Sequence, residues 1–498
     1  MRSVNKIKML LKASVVIAFI LAFVMPVTAA TSNQCLMNLS VFELNNLVKD
    51  PEWVEQASGF WEPSRGIDYI SAVDENIAWA TCYDGSGSAA PVQEFTRTID
   101  GGELWEADVI DGAPAESKTA MIFALDAMTA WVPLHSGDPQ GIWKTSDGGV
   151  TWVQQTTADF TGGFPNTVHF WNQNEGWCMG DPVDGYYQIY TTTNGGENWV
   201  RVPSENIPAP ESSVEYGVTG YYDVVGDTIW FGTQDATNPG RVFKSTDRGL
   251  HWTVSFDTLF EDGAYVDVRF KDQLNGLALN KIASATAQLM ETNDGGNTWW
   301  PIEFSGTCYD YDFDYVPGTD NMYVTTGVNS ADESQQGAAY SLDGGHSWTI
   351  WEEMSGIQLI GTDWVEGKIG WAGAFNVDDT TGGVWKHIGS TAPALTFSIA
   401  GGKGFTVTVK NVGESDATNV VCDIVINGGL FVSPKEFSGS QALLEVGQEF
   451  TITGTPIGFG LGILKTMPSI KMDVICDEGA SATRTVKAKI FLSTITLQ

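Results

Sequence analysis

The sequence predicts an all-β protein, a seven-bladed β-propeller followed by a small antiparallel β-sandwich. The prediction rests on a turn motif repeated six times, seven aromatic strands between its copies, and a change of pattern near residue 390. The motif reads Thr/Ser-x-Asp/Asn-x-Gly-x-x-Trp, and its copies begin at Thr98, Thr145, Thr192, Ser245, Thr292 and Ser341. Its tryptophans recur every 47 to 53 residues, a period typical of radial or stacked repeats whose units pack against their neighbours.

The residue types of the motif suit a tight turn. Asp and Asn side chains fold a turn by hydrogen-bonding nearby backbone groups, and Gly accepts positive φ without steric cost. A large indole then covers apolar area between strands. We therefore predict a structural role for the polar residues Asp100, Asp147, Asn194, Asp247, Asp294 and Asp343, and for the tryptophans Trp105, Trp152, Trp199, Trp252, Trp299 and Trp348.

A second pattern, an aromatic or apolar residue among small ones, occurs seven times between and around these turns. It is centred on Trp79, Trp131, Trp177, Trp230, Leu277, Tyr323 and Trp371. Each copy follows a run with strand alternation and precedes another strand, which gives four strands per blade. The seventh unit lacks its outer strand, and the segment around Trp53 imitates the outer strand that begins at Trp152. We expect this N-terminal strand to close the ring, which removes exposed sheet edges.

The repeated turn resembles the Asp-box, or BNR, repeat of β-propellers. The resemblance extends to sialidases, to xyloglucanases, to a photosystem II assembly factor and, around Gly180-Asp181-Pro182, to a widespread family of secreted BNR proteins. Asp-box sialidases bind the substrate carboxylate with three arginines. This chain has few arginines after its N-terminus, so we do not expect a sialidase. Beyond Ala392 the strand-like runs resemble an Ig-like or CARDB-like domain, which implies a spacer or a surface attachment.

The first thirty residues are typical of an export signal. Arg2, Lys6 and Lys8 precede an apolar run that ends in small residues at Ala29-Ala30. The run is shorter than the roughly 20 residues of a membrane span, and no later segment is long and apolar enough. We predict a signal peptide at 1–30, the propeller at 31–390, the sandwich at 391–498, and a secreted or cell-surface protein without a span in the mature chain.

The charge balance narrows the class of partner. The 61 acidic and 26 basic residues give a net charge of −35, which excludes nucleic acid because a phosphate backbone requires clustered Lys and Arg. Six cysteines are few for 498 residues. Export permits disulfides, and Cys422 and Cys476 both lie in strand-like runs of the C-terminal region. We predict a bridge between these two.

Ligands are expected at the face opposite the repeated turns, which we call the funnel face. Its loops are acidic, and the candidate ligand-binding residues are Asp181, Asp184 and Glu215. Loops before the inner strands add Asp223, Asp262, Asp310, Asp312 and Asp314, beside few basic residues such as Lys281, and nearby aromatics include Tyr186, Tyr187, Tyr221 and Tyr222. Such carboxylates suit Ca²⁺, cationic groups or sugar hydroxyls. The alternative is that an acidic chain places carboxylates on every exposed loop, and we favour it.

These observations favour a non-enzymatic protein, monomeric and without an obligatory cofactor. It binds a glycan or an extracellular or surface protein through the funnel face. Two alternatives stay open: a glycoside hydrolase with paired funnel carboxylates, and a structural component of the cell envelope. A hydrolase requires one funnel carboxyl with a raised pKa beside a cleft, whereas a binding module requires accessible aromatic rings.

Overall fold

A computed structural model describes residues 52–256, 259–281, 287–389, 393, 395–413, 415–460, 468–477 and 480–497. Antiparallel strands dominate these residues, which contain no α-helix. Short 3-10 helices lie at Ser204–Asn206, Glu333–Gln335, Glu352–Met354 and Glu366–Lys368. The all-β class predicted from the sequence is therefore confirmed.

Two predictions concern residues before this part of the chain. The export signal at 1–30 and Cys35 lie outside the described residues. Within the described ranges, no helix is long and apolar enough to cross a membrane.

The described residues before 390 form thirty-one strands. The first nineteen are β1 (Trp53–Ala57), β2 (Arg65–Ala72), β3 (Ala78–Asp84), β4 (Glu94–Thr98), β5 (Glu106–Val109), β6 (Lys118–Thr119), β7 (Phe123–Ala124), β8 (Ala130–His135), β9 (Gly141–Thr145), β10 (Val153–Gln155), β11 (Pro165–Phe170), β12 (Gly176–Val183), β13 (Tyr186–Thr192), β14 (Val200–Arg201), β15 (Tyr216–Val225), β16 (Thr228–Gln234), β17 (Pro239–Gly240), β18 (Val242–Ser245) and β19 (Thr253–Val254). The other twelve are β20 (Leu259–Asp262), β21 (Val266–Phe270), β22 (Gly276–Asn280), β23 (Leu289–Thr292), β24 (Trp300–Pro301), β25 (Asp312–Tyr315), β26 (Tyr323–Val328), β27 (Gln336–Ser341), β28 (Thr349–Ile350), β29 (Thr362–Val365), β30 (Ile369–Asp378) and β31 (Thr381–His387).

These strands pair as antiparallel sheets in chain order. Sheet 1 contains β2–β5, sheet 2 β6–β10, sheet 3 β11–β14, sheet 4 β15, β16, β18 and β19, sheet 5 β21–β24, sheet 6 β25–β28, and sheet 7 β29–β31 with β1. A single pairing of Gly66 with Phe375 joins sheets 1 and 7, and β17 pairs with β20 separately. The inner strands β2, β7, β11, β15, β21, β25 and β29 contact one another in this order, and β29 contacts β2. The sheets therefore surround a central axis.

The outer edge of sheet 7 is completed by the start of the described chain. Strand β1 pairs antiparallel with β31, and Trp53 lies opposite His387. The Trp53 ring packs edge-on against Trp351 and Trp364, with centroids 5.3 and 5.7 Å away. Glu353 Oε1 accepts the Trp53 amide at 3.1 Å. The pairing that closes the ring is thus supported by aromatic packing and a side-chain acceptor.

All six repeated turns have the same hydrogen bonds. In the first, the Thr98 hydroxyl donates to Asp100 at 2.9 Å and accepts the Gly102 amide at 2.8 Å. Asp100 also accepts the Leu104 amide at 3.0 Å. Gly101 donates to the carbonyl of Asn76, in the hairpin between β2 and β3. The turns and these hairpins therefore share one face, and the hairpins between the second and third strands of each sheet lie on the funnel face.

The apolar core lies between neighbouring sheets. Trp131 of sheet 2 is fully buried and stacks on Phe170 of sheet 3 at 3.7 Å between ring centroids. Trp230 of sheet 4 stacks in the same way on Phe270 of sheet 5, at 3.8 Å. The tryptophans of the six turns are also buried. Each sheet is thus held by its neighbours, as expected for a repeat whose units cannot bury both faces alone.

The last nine strands form a separate set of pairings. They are β32 (Leu395–Asn411), β33 (Ala417–Asn427), β34 (Leu430–Ser433), β35 (Glu436–Leu444), β36 (Glu449–Gly454), β37 (Ile457–Gly460), β38 (Ser469–Ile475), β39 (Ser481–Leu492) and β40 (Thr494–Leu497). The first half of β39 pairs with β38, which continues to β33 and β35, and the second half pairs with β40 and β37. Their apolar side chains share one core, which includes Val407, Ile424 and Met472.

The disulfide predicted between Cys422 and Cys476 is wrong. Cys422 is a buried free thiol, and Cys476 Sγ donates to the carbonyl of Ala480 at 3.6 Å. The register explains this, because Cys422 lies opposite Val474, two residues before Cys476. Diagonal neighbours in a sheet are about 7–8 Å apart, beyond the usual Cα separation of about 4.4–6.8 Å in a disulfide.

Candidate functional site

A cavity of about 360 Å³ lies inside the ring of inner strands. Its walls come from all seven inner strands, and they contribute tyrosines, five aspartates and two cations. The tyrosines are Tyr69, Tyr221, Tyr222 and Tyr311; the charged residues are Asp68, Asp223, Asp312, Asp314, Asp363, Arg269 and Lys281. Its volume is within the range of about 300–1,000 Å³ that small-ligand pockets occupy.

Most of these aspartates connect neighbouring inner strands. The inner edge of each sheet has backbone amides without a strand partner, and an amide excluded from water requires an acceptor. Side chains of the preceding sheet supply it in five pairs: Ser71 accepts from Ala124 (2.9 Å), Asp223 from Phe270 (2.5 Å), Asp312 from Thr362 (2.8 Å), Asp314 from Trp364 (3.0 Å) and Asp363 from Ala72 (2.6 Å). Asp223, Asp312 and Asp314, which the sequence suggested as ligands in loops, therefore lie within strands and stabilise the ring.

The two cations are bound by carboxylates of the same cavity. Arg269 Nη1 lies 2.6 Å from Asp267, and Arg269 Nε lies 3.3 Å from Asp314. Lys281 Nζ lies 3.0 Å from Asp312 and 4.0 Å from the centroid of the Tyr221 ring. An ammonium between a carboxylate and an aromatic face is stabilised by both.

Asp68 differs from the other aspartates of the cavity. Its Oδ1 is excluded from solvent and has no hydrogen-bond partner among the described residues. Burial raises the pKa of this carboxyl to about 8, because desolvation disfavours the charged form. Asp68 is therefore neutral over most of the physiological pH range, and its Oδ1 lacks a hydrogen-bond partner among the described residues.

Backbone irregularities place Asp68 and the tyrosines in the cavity. The pairing of β2 with β3 shifts between Ile67 and Tyr69, which makes Asp68 the extra residue of a β-bulge, a device that redirects side chains. Strand β15 shifts likewise before Tyr222, and its Gly220 has φ +72°. A Cβ at Gly220 would overlap the Tyr69 ring. The Tyr69 hydroxyl donates to the carbonyl of Thr219 at 2.7 Å. This bond joins β2 to β15 across the cavity.

The three ligand-binding candidates from the sequence make separate contacts. Asp181 accepts a hydrogen bond of 2.7 Å from Asn166, and burial raises its pKa to about 6. Glu215 is buried and accepts from Arg241 Nε at 3.0 Å. Asp184 is exposed in the β12–β13 hairpin at φ +58°. No hydrogen bond or ion pair joins any two of these three residues, and none of them lines the central cavity.

Carboxylates of the funnel-face loops fold their own turns. Each of four aspartates accepts the amide of the residue two positions on: Asp84 from Ser86, Asp235 from Thr237, Asp332 from Ser334 and Asp378 from Thr380. The hydrogen bonds of Ser86 and Ser88 hold the pKa of Asp84 well below its usual range. These four carboxylates therefore have local structural roles in their turns.

The aromatic candidates divide into two groups. Tyr187 is fully buried, with rings of Phe231 and Phe243 packed against it, so the expectation that it is accessible is wrong. Tyr221 and Tyr222 line the cavity instead. No group of three or more His, Cys, Asp or Glu side chains with metal-binding geometry occurs in the described part of the chain. Calcium binding stays a prediction.

Sequence reasoning did not single out Asp68. Its strand was recognised from alternation alone, and a bulge leaves no reliable mark in an alternating pattern. Tyr221, Asp223, Lys281, Asp312 and Asp314 were noted, although as loop residues. These residues lie close together only because the sheets form a closed ring and because of the register of β15, β21 and β25.

No protein-family model matches the chain, and no curated protein matches its sequence. Solved structures with a similar fold include YCF48 bound to a D1 peptide, at 14% identity and a TM-score of 0.48, covering 68% of this chain and 98% of that chain. Trypanosoma rangeli sialidase with the inhibitor DANA has 11% identity and a TM-score of 0.42, covering 90% and 93%. A catalytically inactive virginiamycin B lyase from Staphylococcus aureus, with quinupristin, has 11% identity and a TM-score of 0.42, covering 67% and 98%.

Proposed function

We propose that the protein is a non-enzymatic β-propeller that binds one group of a glycan or of an extracellular or surface protein in its central cavity. The observation that supports this most directly is Asp68, whose buried Oδ1 lacks a partner in a cavity where the other aspartates are engaged. Unsatisfied buried polar atoms are rare in native proteins. A ligand that hydrogen-bonds to Asp68 would satisfy this one.

The walls also favour binding over chemistry. Tyrosine rings offer flat apolar area beside hydroxyl groups, which suits sugar rings and side chains of partner proteins. The cavity volume of about 360 Å³ suits a single such group. Glycoside hydrolysis requires two carboxyl groups free to contact the substrate. Asp312, which shares the cavity with Asp68, is held by Lys281 and by the amide of Thr362.

A glycoside hydrolase is the second candidate, and the pKa of Asp68 favours it. A carboxyl that stays protonated near neutral pH is what a general acid requires. Burial gives Asp68 a pKa of about 8, which meets the condition that the sequence analysis set for an enzyme. The two candidates differ in whether sugar is released from bound material.

We also propose roles for the two ends of the chain, which lie outside this cavity. We place the protein in the Asp-box family on its six turns, and we propose that residues 1–30 export it to the medium or the cell surface. The C-terminal strands would serve as an Ig-like or CARDB-like spacer or attachment, on a monomer. Mass spectrometry of the exported protein tests the first step, because an N-terminus that still includes residues 1–30 would contradict a cleaved signal.

The deciding experiment is a glycan-array and surface-protein binding screen of the purified protein, with and without Ca²⁺, together with an assay for released sugar. Binding without release, weakened at least tenfold by Asp68→Asn and by Tyr311→Leu but not by Asp184→Asn, is the expected result. Asp184→Asn is the matched control because it makes the same substitution in an exposed turn. Released sugar would favour the hydrolase. Loss of binding in Asp184→Asn alone would move the site to the β12–β13 hairpin.

A further inference from the structure

The charge of the central cavity favours a cationic ligand. Five aspartates and only two cations line it, in a protein whose net charge is −35. Low-dielectric walls strengthen electrostatic interactions inside a cavity, and a concave site of one sign concentrates ions of the opposite sign. Anionic groups are therefore disfavoured as ligands.

Lys281 shows how the cavity accommodates an ammonium group. Its Nζ is 3.0 Å from Asp312 and 3.7 Å from Asp267, and it lies over the Tyr221 ring at 4.0 Å. The centroid of the Tyr311 ring is 5.6 Å from the same Nζ. Carboxylates together with aromatic faces are the chemistry by which proteins bind amines.

Asp68 and its neighbours repeat this combination without an internal cation bound to them. Asp68 acts electrostatically on Tyr69 and Tyr311, whose pKa values are raised first by burial and then by nearby charges that include this carboxyl. Both rings and Asp68 line the same cavity. No ion pair joins Asp68 to Lys281 or Arg269, whereas Asp312 and Asp314 are paired with these cations. The carboxyl of Asp68 thus has no internal ion pair and, once ionised, can pair with an incoming cation.

We propose that the central cavity recognises a primary alkylammonium group, with Asp68 as its carboxylate partner and the rings of Tyr69 and Tyr311 beside it. The inference rests on the proposed binding function and names its ligand chemistry. A lysine side chain of a partner protein, a free diamine and an amino sugar of a glycan all present this group. Neutral sugar hydroxyls are the competing ligand, and the experiment separates them.

Binding of an ammonium group changes the protonation of Asp68, whereas binding of a neutral ligand does not. Asp68 is protonated in the empty cavity near neutral pH, and an ammonium stabilises its ionised form, so binding releases one proton from Asp68 to solvent. The charged groups that act on Asp68 are Lys281 and Asp312, which form an ion pair with each other. The other titratable groups that interact with it are the phenols of Tyr69, Tyr83 and Tyr311 and the thiol of Cys82, which stay un-ionised because burial raises their pKa values. His169 at the cavity is neutral because burial lowers its pKa to about 3. Affinity for an ammonium therefore rises with pH up to about 8, by as much as tenfold per unit.

The test is calorimetric titration of the full chain with charged and neutral members of matched pairs. The probes are Nα-acetyl-lysine methylamide against its glutamine counterpart, cadaverine against pentanol, and glucosamine against N-acetylglucosamine. We expect the three amines to bind at least tenfold more tightly than their partners, and the amine preferred among the three indicates the natural source. Repeating the titrations of the lysine and cadaverine probes in buffers of different ionisation enthalpy should show release of about one proton at pH 6 to 7, falling to about half a proton at pH 8 as free Asp68 becomes ionised.

Variants connect the result to the site. Asp68→Asn should weaken amine binding at least tenfold and abolish proton release, and Asp184→Asn should change neither. Proton uptake or none in the unmodified protein would overturn the ammonium inference without any variant. Equal binding of charged and neutral partners, sensitive to Asp68→Asn, would also overturn it while the proposed binding function stood. If neither probe class binds and array binding is insensitive to both Asp68→Asn and Tyr311→Leu, both proposals fail.

Discussion

The carboxylate of Asp363 accepts the backbone amide of Ala72 at 2.6 Å, which joins the seventh inner strand to the first. Asp314 forms the preceding bond of the same kind, to Trp364. Most aspartates of the central cavity thus accept backbone hydrogen bonds at the inner edges of the sheets, where no neighbouring strand supplies an acceptor. This explains how so many carboxyl groups are accommodated at the axis of a folded protein.

Removing that acceptor should destabilise the ring. We expect Asp363→Ala to lower the free energy of unfolding by about 1–3 kcal/mol, because the Ala72 amide is left without a partner. Asp363→Asn keeps a carbonyl oxygen and should recover most of the loss. Urea unfolding measures both, with Asp379→Ala in an exposed turn as control. Equal stability of the Ala and Asn variants would show that the hydrogen bond is unimportant.

Trp53 should be a major source of stability, although it lies near the start of the described chain. Its ring is 2% exposed and contacts Trp351, Trp364 and His387. We expect Trp53→Ala to cost about 3–5 kcal/mol, the usual range for a buried aromatic residue. Trp61, which is 59% exposed, provides the matched control. If Trp53→Ala and Trp61→Ala melt at the same temperature, β1 does not close the ring in solution.

The two glycines of the repeated turn should resist substitution for separable reasons. Gly149, the second glycine of the second turn, has φ +91°, and a Cβ there would overlap the Phe95 ring of the preceding sheet. Gly344, the first glycine of the sixth turn, has φ +74° and open space around it. Gly344→Ala should therefore cost about 1–2 kcal/mol for the backbone conformation alone, and Gly149→Ala should cost more. Thermal unfolding of the two variants compares these costs, and a smaller loss for Gly149→Ala would contradict the packing argument.

The stability of the protein should depend on the ionisation of Asp68. Free Asp has a pKa of about 3.9, whereas burial raises that of folded Asp68 to about 8. Between these values the unfolded chain binds fewer protons than the folded one, so rising pH lowers the free energy of unfolding. This group contributes up to about 1.4 kcal/mol per pH unit.

Asp68→Asn removes that contribution. Relative to the unmodified protein, the variant should gain stability steadily as the pH rises from 5 to 8, and the difference should level off above 8. Urea unfolding across this range measures the effect, and Asp184→Asn should run parallel to the unmodified protein. Parallel curves for Asp68→Asn as well would mean that Asp68 is already ionised in the folded state.

Alkylation tests the state of Cys422. The structure contains a free thiol at this position, so denatured protein that has never been reduced should be modified at Cys422 by iodoacetamide. Peptide mass spectrometry identifies the adduct, and prior reduction should not increase its yield. A cross-linked peptide containing Cys422 and Cys476 would contradict the register of β33 and β38.

The sequence was informative where the pattern is local and repeated. The Thr98–Asp100–Gly102 hydrogen bonds depend on residues four positions apart, and short-range spacing is visible in any sequence. Asp68 was missed because its direction depends on a bulge, and the distance between Lys281 and Asp312 depends on the curvature of the whole ring. Glu215 illustrates the opposite case, since its acidic character was visible and its pairing with Arg241 was not.

The pairing of β1 with β31 in sheet 7 constrains the order in which the sheets can fold. Glu353 Oε1 accepts the Glu52 amide across 301 residues of chain, and β1 pairs only with β31. Contacts so distant in sequence slow folding, because the entropy of closing a long loop must be overcome first. During synthesis from the N-terminus, β1 stays unpaired while the first six sheets form. The edge of β31 is then exposed until β1 pairs with it. Assembly is therefore most vulnerable to wrong strand pairing at its last step.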